Sequence, residues 1–203
     1  MADRAYTALL DELAGAGVEV SSVSDLINTR DPYPAAVPIL IDWLANLDQK
    51  MPGPEEGLKK GLREALIRSL IVKEAKNTAA LPALLAQFDL YDRIAPNVLW
   101  AAGYALAWLA PAGYYDRIAP LAADRRYGLG RRELILWLGK SRNPEATAII
   151  LDQLDDPAVA TAALQALARR KPAGVRGVVE PYLNSADSEI RKQARKALDK
   201  LPA

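Results

Sequence analysis

Asp187-Ser188-Glu189-Ile190-Arg191-Lys192-Gln193-Ala194-Arg195-Lys196-Ala197-Leu198 is the stretch that decides the fold. Its apolar positions Ile190, Ala194, Ala197 and Leu198 fall at i, i+4, i+7 and i+8, one face of a helix, and the remainder is polar or charged. Asp187 opens the stretch at the turn that leads into the helix. The same pattern returns upstream. Asp156-Pro157-Ala158-Val159 leads into Ala163, Ala166 and Leu167 at an offset of 31. Leu134, Trp137 and Leu138 lie 29 residues earlier, Ala105, Trp108 and Leu109 another 29, and Leu66, Ser69 and Leu70 a further 39. Leu70, Leu109, Leu138, Leu167 and Leu198 thus form a ladder. Each closes an amphipathic helix that cannot bury its apolar face alone, the mark of a repeat array.

A second ladder lies between these helices. Pro38, Pro82, Pro120 and Pro181 each interrupt an apolar run, and proline shortens or kinks a helix. The run around Ile149-Ile150-Leu151-Asp152 lacks one. Asp156-Pro157 and Asn143-Pro144 pair an N-cap with proline at the first helical position. The reading predicts helix pairs 33–47 with 55–71, 78–88 with 96–110, 114–124 with 129–140, 144–154 with 157–169, and 174–183 with 188–200. A helix at 3–14 and a helical turn at 21–28 precede them, and a loop at 48–54 separates the first pair. Tyr91-Asp92-Arg93-Ile94-Ala95-Pro96 recurs as Tyr115 to Pro120, the first copy before a helix and the second inside one.

Composition agrees with a globular chain and removes several chemistries. Of 203 residues, 51% are hydrophobic and 25% charged, enough apolar side chains for a sizeable core. With no cysteine, disulfides and thiolate chemistry are excluded; with no histidine, so are imidazole acid–base catalysis and most zinc geometries. No cofactor, metal site or catalytic residue is therefore expected. The 22 uncharged residues from Ile94 to Tyr115 are broken by Pro96, Gly103, Pro111 and Gly113, so they read as a buried helix and not as a membrane span. No targeting segment is read at Met1-Ala2-Asp3-Arg4, and a cytoplasmic monomer is expected. Residues 1–100 carry 10 basic and 14 acidic side chains, and residues 101–203 carry 16 and 11. The total of +1 is unlike that of a dedicated nucleic-acid binder.

The outer-helix prolines, the turn aspartates and the Ile190-Arg191-x-x-Ala194-x-x-Ala197-Leu198 pattern together resemble HEAT repeats of the short bacterial type, also called HEAT-like or PBS-lyase-type repeats. The likeness covers about 33–201 and is closest at Asp187 to Leu198; the unit at 144–169 has Ala160 where the pattern has arginine. It implies an all-α, right-handed α-α superhelix of about five HEAT-like hairpins. The chain 1–203 would be one domain, with residues 1–30 as an N-terminal helical cap. It also implies that Arg63, Arg131 and Arg191, which share one ladder position, pair with the turn aspartate of a neighbouring unit.

In such a stack the second helices line the concave, working face. Aligned columns off the leucine ladder are Glu64, Gly103, Arg132, Thr161, Lys192; Arg68, Ala107, Leu136, Gln165, Lys196; and Ala65, Tyr104, Glu133, Ala162, Gln193. From these, and from Trp100 one turn before Tyr104, the candidate partner-binding residues are Glu64, Arg68, Trp100, Tyr104, Arg132, Glu133, Gln165, Lys192 and Lys196. Trp108 and Trp137 fall in the column of Ala166 and Ala197 and read as core, as does Trp43. The expected function is a non-enzymatic protein-binding module, such as an adaptor, a scaffold or an immunity-type inhibitor, with another protein as partner. The alternative is nucleic-acid binding. The resemblance extends that alternative to a DNA glycosylase-like enzyme, for which Glu133 beside Arg132, with Trp100 and Tyr104, is the comparable set. Leu138→Ala, as a core truncation, is expected to cost ~2–5 kcal/mol; an unchanged melting temperature would reject the ladder.

Overall fold

The computed structural model describes residues 2–202. Among them the chain is all-helical, with thirteen α-helices and no strand. It groups into two compact units that divide between Ala110 and Pro111.

The first unit contains α1 (Ala2–Gly15), α2 (Asp25–Asn28), α3 (Ala36–Ala45), α4 (Leu47–Lys50), α5 (Gly57–Ser69), α6 (Ala80–Leu85) and α7 (Pro96–Leu109). α3 pairs with α5 and α6 with α7, and these hairpins stack, α5 on α7 and α3 on α6. α1 closes the end of the stack against α3 and α5 through the fully buried Leu9 and Leu13. The Trp43 indole N–H donates to Glu12 Oε2 at 2.9 Å, and the Val23 N–H donates to the Tyr6 hydroxyl at 3.2 Å. Tyr33 donates its hydroxyl to the Ser69 carbonyl at 2.9 Å; burial, with Glu74 nearby, pushes this phenol up to about 12.

The second unit contains α8 (Tyr115–Ala123), α9 (Arg132–Leu138), α10 (Ala146–Asp152), α11 (Ala160–Arg170), α12 (Arg176–Val179) and α13 (Ser188–Leu198). The hairpins are α8/α9, α10/α11 and α12/α13, with α9 stacked on α11 and α11 on α13. Small residues set the spacing. A Cβ added at Gly139 would lie 2.9 Å from Ala166 Cα, so the end of α9 meets α11 at backbone distance. All five ladder leucines, Leu70, Leu109, Leu138, Leu167 and Leu198, are buried.

The expected helix pairs are present with trimmed ends. The first helices are short, and several finish in 3-10 turns, at Ala86–Leu90 after α6 and at Glu180–Asn184 after α12. Pro38, Pro82 and Pro120 lie inside α3, α6 and α8, on exposed positions where the missing donor costs little. The loop expected at 48–54 is a correction: residues 47–50 form α4, because Lys50 N–H and Met51 N–H still find helical carbonyls, and the true loop begins after Lys50. The Asx-Pro caps work. Asp156 Oδ1 accepts from Ala158 N–H and Asn143 Oδ1 from Glu145 N–H, both at 2.9 Å, with regular helix starting about a turn later. Asp187 accepts from the N–H groups of Glu189 and Ile190.

Two arginines anchor the stacks. Arg63, 2% exposed, donates to both carboxylate oxygens of Glu55, to Asp48 Oδ1 at 2.9 Å and to Gln87 Oε1 at 2.9 Å. Lys59 joins it, with Asp48 Oδ1 at 2.7 Å and the Gly53 carbonyl at 3.0 Å. Burial pushes the Asp48 carboxyl up, but the Lys59 hydrogen bond and the charges of Arg63, Lys59 and Arg93 outweigh it and hold the group below its ordinary value. In the second unit Arg131, with 0% exposure, donates to Gln153 Oε1, to Asp156 Oδ2 and to the Ala122 carbonyl. Arg131 therefore pairs with the turn aspartate of the next hairpin, as the resemblance implied. Arg63 instead pairs with carboxylates of its own hairpin and reaches the next through Gln87. Arg191, on α13, donates instead to the carbonyls of Ser185 and Ala186.

Gln87 and Gln153 occupy equivalent places at the ends of the following first helices. Each returns its amide N–H to the carbonyl four residues back, Ala83 and Ile149. Gln153→Leu would leave a buried guanidinium donor unmet; the expected loss in chemical denaturation is about 1–3 kcal/mol, with Gln87→Leu behaving alike. A loss no larger than that of a surface control would show that these bonds are incidental.

Candidate functional site

α7 is the most apolar of the long helices, yet it does not bury all its rings. Val98, Ala101, Ala102, Ala105 and Leu106 face the core, while residues 97, 100, 104 and 108 share the other side at helical spacing. Tyr104 is 39% exposed, Trp108 40%, and Trp100 is half-buried. The Trp100 and Tyr104 rings are tilted, with centroids 5.8 Å apart. From α5, the Arg68 guanidinium lies over Trp100 at 5.8 Å from the ring centroid. Glu64 holds that guanidinium, Oε1 accepting from Arg68 Nε at 2.9 Å, while Oε2 accepts from Asn97 Nδ2 at 2.8 Å. Four of the sequence-predicted residues, Glu64, Arg68, Trp100 and Tyr104, are thus one connected surface. The arginine is oriented on both sides, and its cation–π contact costs little further ordering.

Trp108 corrects the sequence reading, which placed it in the core. The segment before α7 carries Lys76 to this position, and the indole lies under that ammonium, 4.7 Å from Nζ. Trp137, in the same column, is 6% exposed and is core as expected, as is Trp43. The fourfold spacing of Trp100, Tyr104 and Trp108 was the available signal for an exposed aromatic row. Asn97 and Lys76 carried none.

Beside this row, Ser24, Ile27, Gly61, Glu64, Ala65 and Arg68 line a shallow cavity of about 350 Å³. Gly61 and Ala65 leave its floor low, and Ile27 is partly exposed at its edge.

The other predicted residues lie in the second unit. Arg132 and Glu133 begin α9 and bond each other, so their charges are largely mutually satisfied. Gln165 is half-buried on α11. Lys192 and Lys196 are exposed on α13; Lys192 meets Glu189 Oε2 at 3.1 Å. Hydrogen bonds from Gln193 and then Lys192 hold the Glu189 carboxyl below its ordinary value. Much of the remaining basic surface is occupied. Arg125 pairs with Asp155 at 2.6 Å and Arg126 with Asp124 at 2.6 Å, which lowers the Asp124 carboxyl. Arg170, at the end of α11, donates to the carbonyls of Ser141 and Asn143 in the turn after α9.

Among the described residues no three histidine, cysteine, aspartate or glutamate side chains converge on a metal site, and no helix is long and apolar enough to cross a membrane. Compared with protein-family models, curated proteins and solved structures, the chain matches none.

Trp108→Ala should leave stability within about 1 kcal/mol of the parent, whereas Trp137→Ala should cost ~3–5 kcal/mol. Equal losses in urea titration would contradict the assignment of Trp108 to the surface.

Proposed function

We propose that the chain is a non-enzymatic protein-binding module of the HEAT-like type, an adaptor, scaffold or immunity-type inhibitor, which captures its partner on the second helices of its hairpins. The right-handed superhelix expected from the repeat, as a single domain, belongs to the same proposal. The observation that carries it is the exposed row Trp100–Tyr104–Trp108, flanked by Arg68 and Lys76 and bordered by a shallow cavity. Aromatic rings and arginine dominate protein-binding hot spots because they bury large area with few rotatable bonds. A row of partly exposed rings has no evident role in stability.

The partner's chemistry follows from the cations. Glu64 is committed to Arg68 and Asn97, while among the described residues Lys76 meets the Trp108 ring and no carboxylate. A fitting partner is a protein segment that places an apolar side chain in the Ile27–Ala65 cavity and a carboxylate near Lys76. Arg132, Glu133, Gln165, Lys192 and Lys196 form a more polar surface in the second unit, available to the same class of partner.

A photo-crosslinking residue at position 104, in cells of the source organism, is expected to label one protein, which then binds the purified chain directly. Trp100→Ala with Trp108→Ala should retain full helicity yet weaken that binding by about thirtyfold or more, the loss of one hot spot. Duplex DNA that binds tightly at low salt and releases steeply as salt rises would replace this reading with the nucleic-acid one.

A further inference from the structure

In the second unit, Lys140, Ser141, Arg142, Thr147, Arg169 and Arg170 are among the residues that line an open cleft of about 730 Å³. It lies where the turn after α9 meets the end of α11. Four of its lining side chains are cationic and none is acidic. The neighbouring cations Arg125, Arg126, Arg131 and Arg132 each have a carboxylate partner. Arg170 is held by Thr147 Oγ1 at 2.6 Å and by two carbonyls, which fixes one wall of the cleft. Lys140, Arg142 and Arg169 have no carboxylate or carbonyl partner among the described residues.

Three unpaired cations brought together repel one another, and a multiply charged anion relieves that repulsion. The volume lies within the ~300–1,000 Å³ usual for small ligands. No aromatic ring lines the cleft, so a base would find only guanidinium planes to stack on, while a phosphate chain would find all of its cations. Guanidinium groups match phosphate oxygens in bidentate geometry. We propose that this cleft is a binding site for a compact polyphosphate group, free or carried by a nucleotide, held by Lys140, Arg142 and Arg169 on a wall formed by Arg170.

Isothermal titration of the full chain with tripolyphosphate, at about 50 mM salt, tests this. Binding that weakens as salt rises is expected. The triple variant Lys140→Gln/Arg142→Gln/Arg169→Gln should bind at least about tenfold more weakly, while Arg125→Gln/Arg126→Gln should not change. Should the triple variant lose helicity, Arg142→Gln alone, in the turn, is expected to weaken binding by about threefold. Adenosine triphosphate of equal affinity identifies the bare phosphate chain as the ligand chemistry, and a tighter nucleotide identifies the carried form; both support the site. No heat and no protection from thermal unfolding at about 1 mM tripolyphosphate overturns it, as does a triple variant that binds like the parent. Oligothymidylate that binds and is not displaced by tripolyphosphate also overturns it, in favour of an extended strand.

Discussion

A buried guanidinium costs least when most of its donors are met, and that requirement organises both halves of this protein, Arg131 Nε being the donor left without a partner. Arg63 and Arg131 are the two largest fully buried side chains. Each projects from the second helix of one hairpin and reaches a glutamine at the end of the first helix of the next. The glutamine in turn is held by its own helix. Apolar ladders alone would let neighbouring hairpins slide, because the hydrophobic effect has no direction. A fork-shaped donor aimed at one amide oxygen and at carboxylates does not permit that slide. The arrangement selects one register more than it adds to stability, since paired buried charges return little beyond their desolvation.

With the register held there, the remaining surface of the second helices is free of structural duty. On α5 and α7 it carries arginine, glutamate and three rings, mutually oriented but still exposed. On α9, α11 and α13 it is polar, with Arg132 paired to Glu133 and Lys192 to Glu189. The unpaired cations of the second unit that converge do so at the turn edge instead, around the cleft between Lys140 and Arg169. An aromatic face with few free charges and a charged cleft with no ring suit different ligands, and the two can be tested independently.

Trp108 and Trp137 mark where a periodic reading stops being informative. They share one column and the same residue type, yet one is exposed and the other is core. The difference depends on what lies opposite: a segment carrying Lys76 in one case and close-packed helices in the other. The same applies to the buried arginines. Position seven before the ladder leucine was visible as a column, but Glu55, Asp48 and Gln87 as partners of Arg63 were not. Their distances along the chain follow no period, and only the path of the loop after α4 brings Glu55 and Asp48 together.

From the sequence alone came the paired helices, though not α4, and the burial of every ladder leucine. These follow from local rules: spacing of apolar residues, aspartate and asparagine caps, and prolines that keep the first helices short. The row at Trp100 and Tyr104 was legible for the same reason, as positions off the buried stripe. Tertiary structure decided which tryptophan is exposed, which arginine is paired and which cations are left to meet a ligand. Those outcomes are set by how loops and neighbouring helices come together in space, which the periodic pattern of apolar residues does not encode.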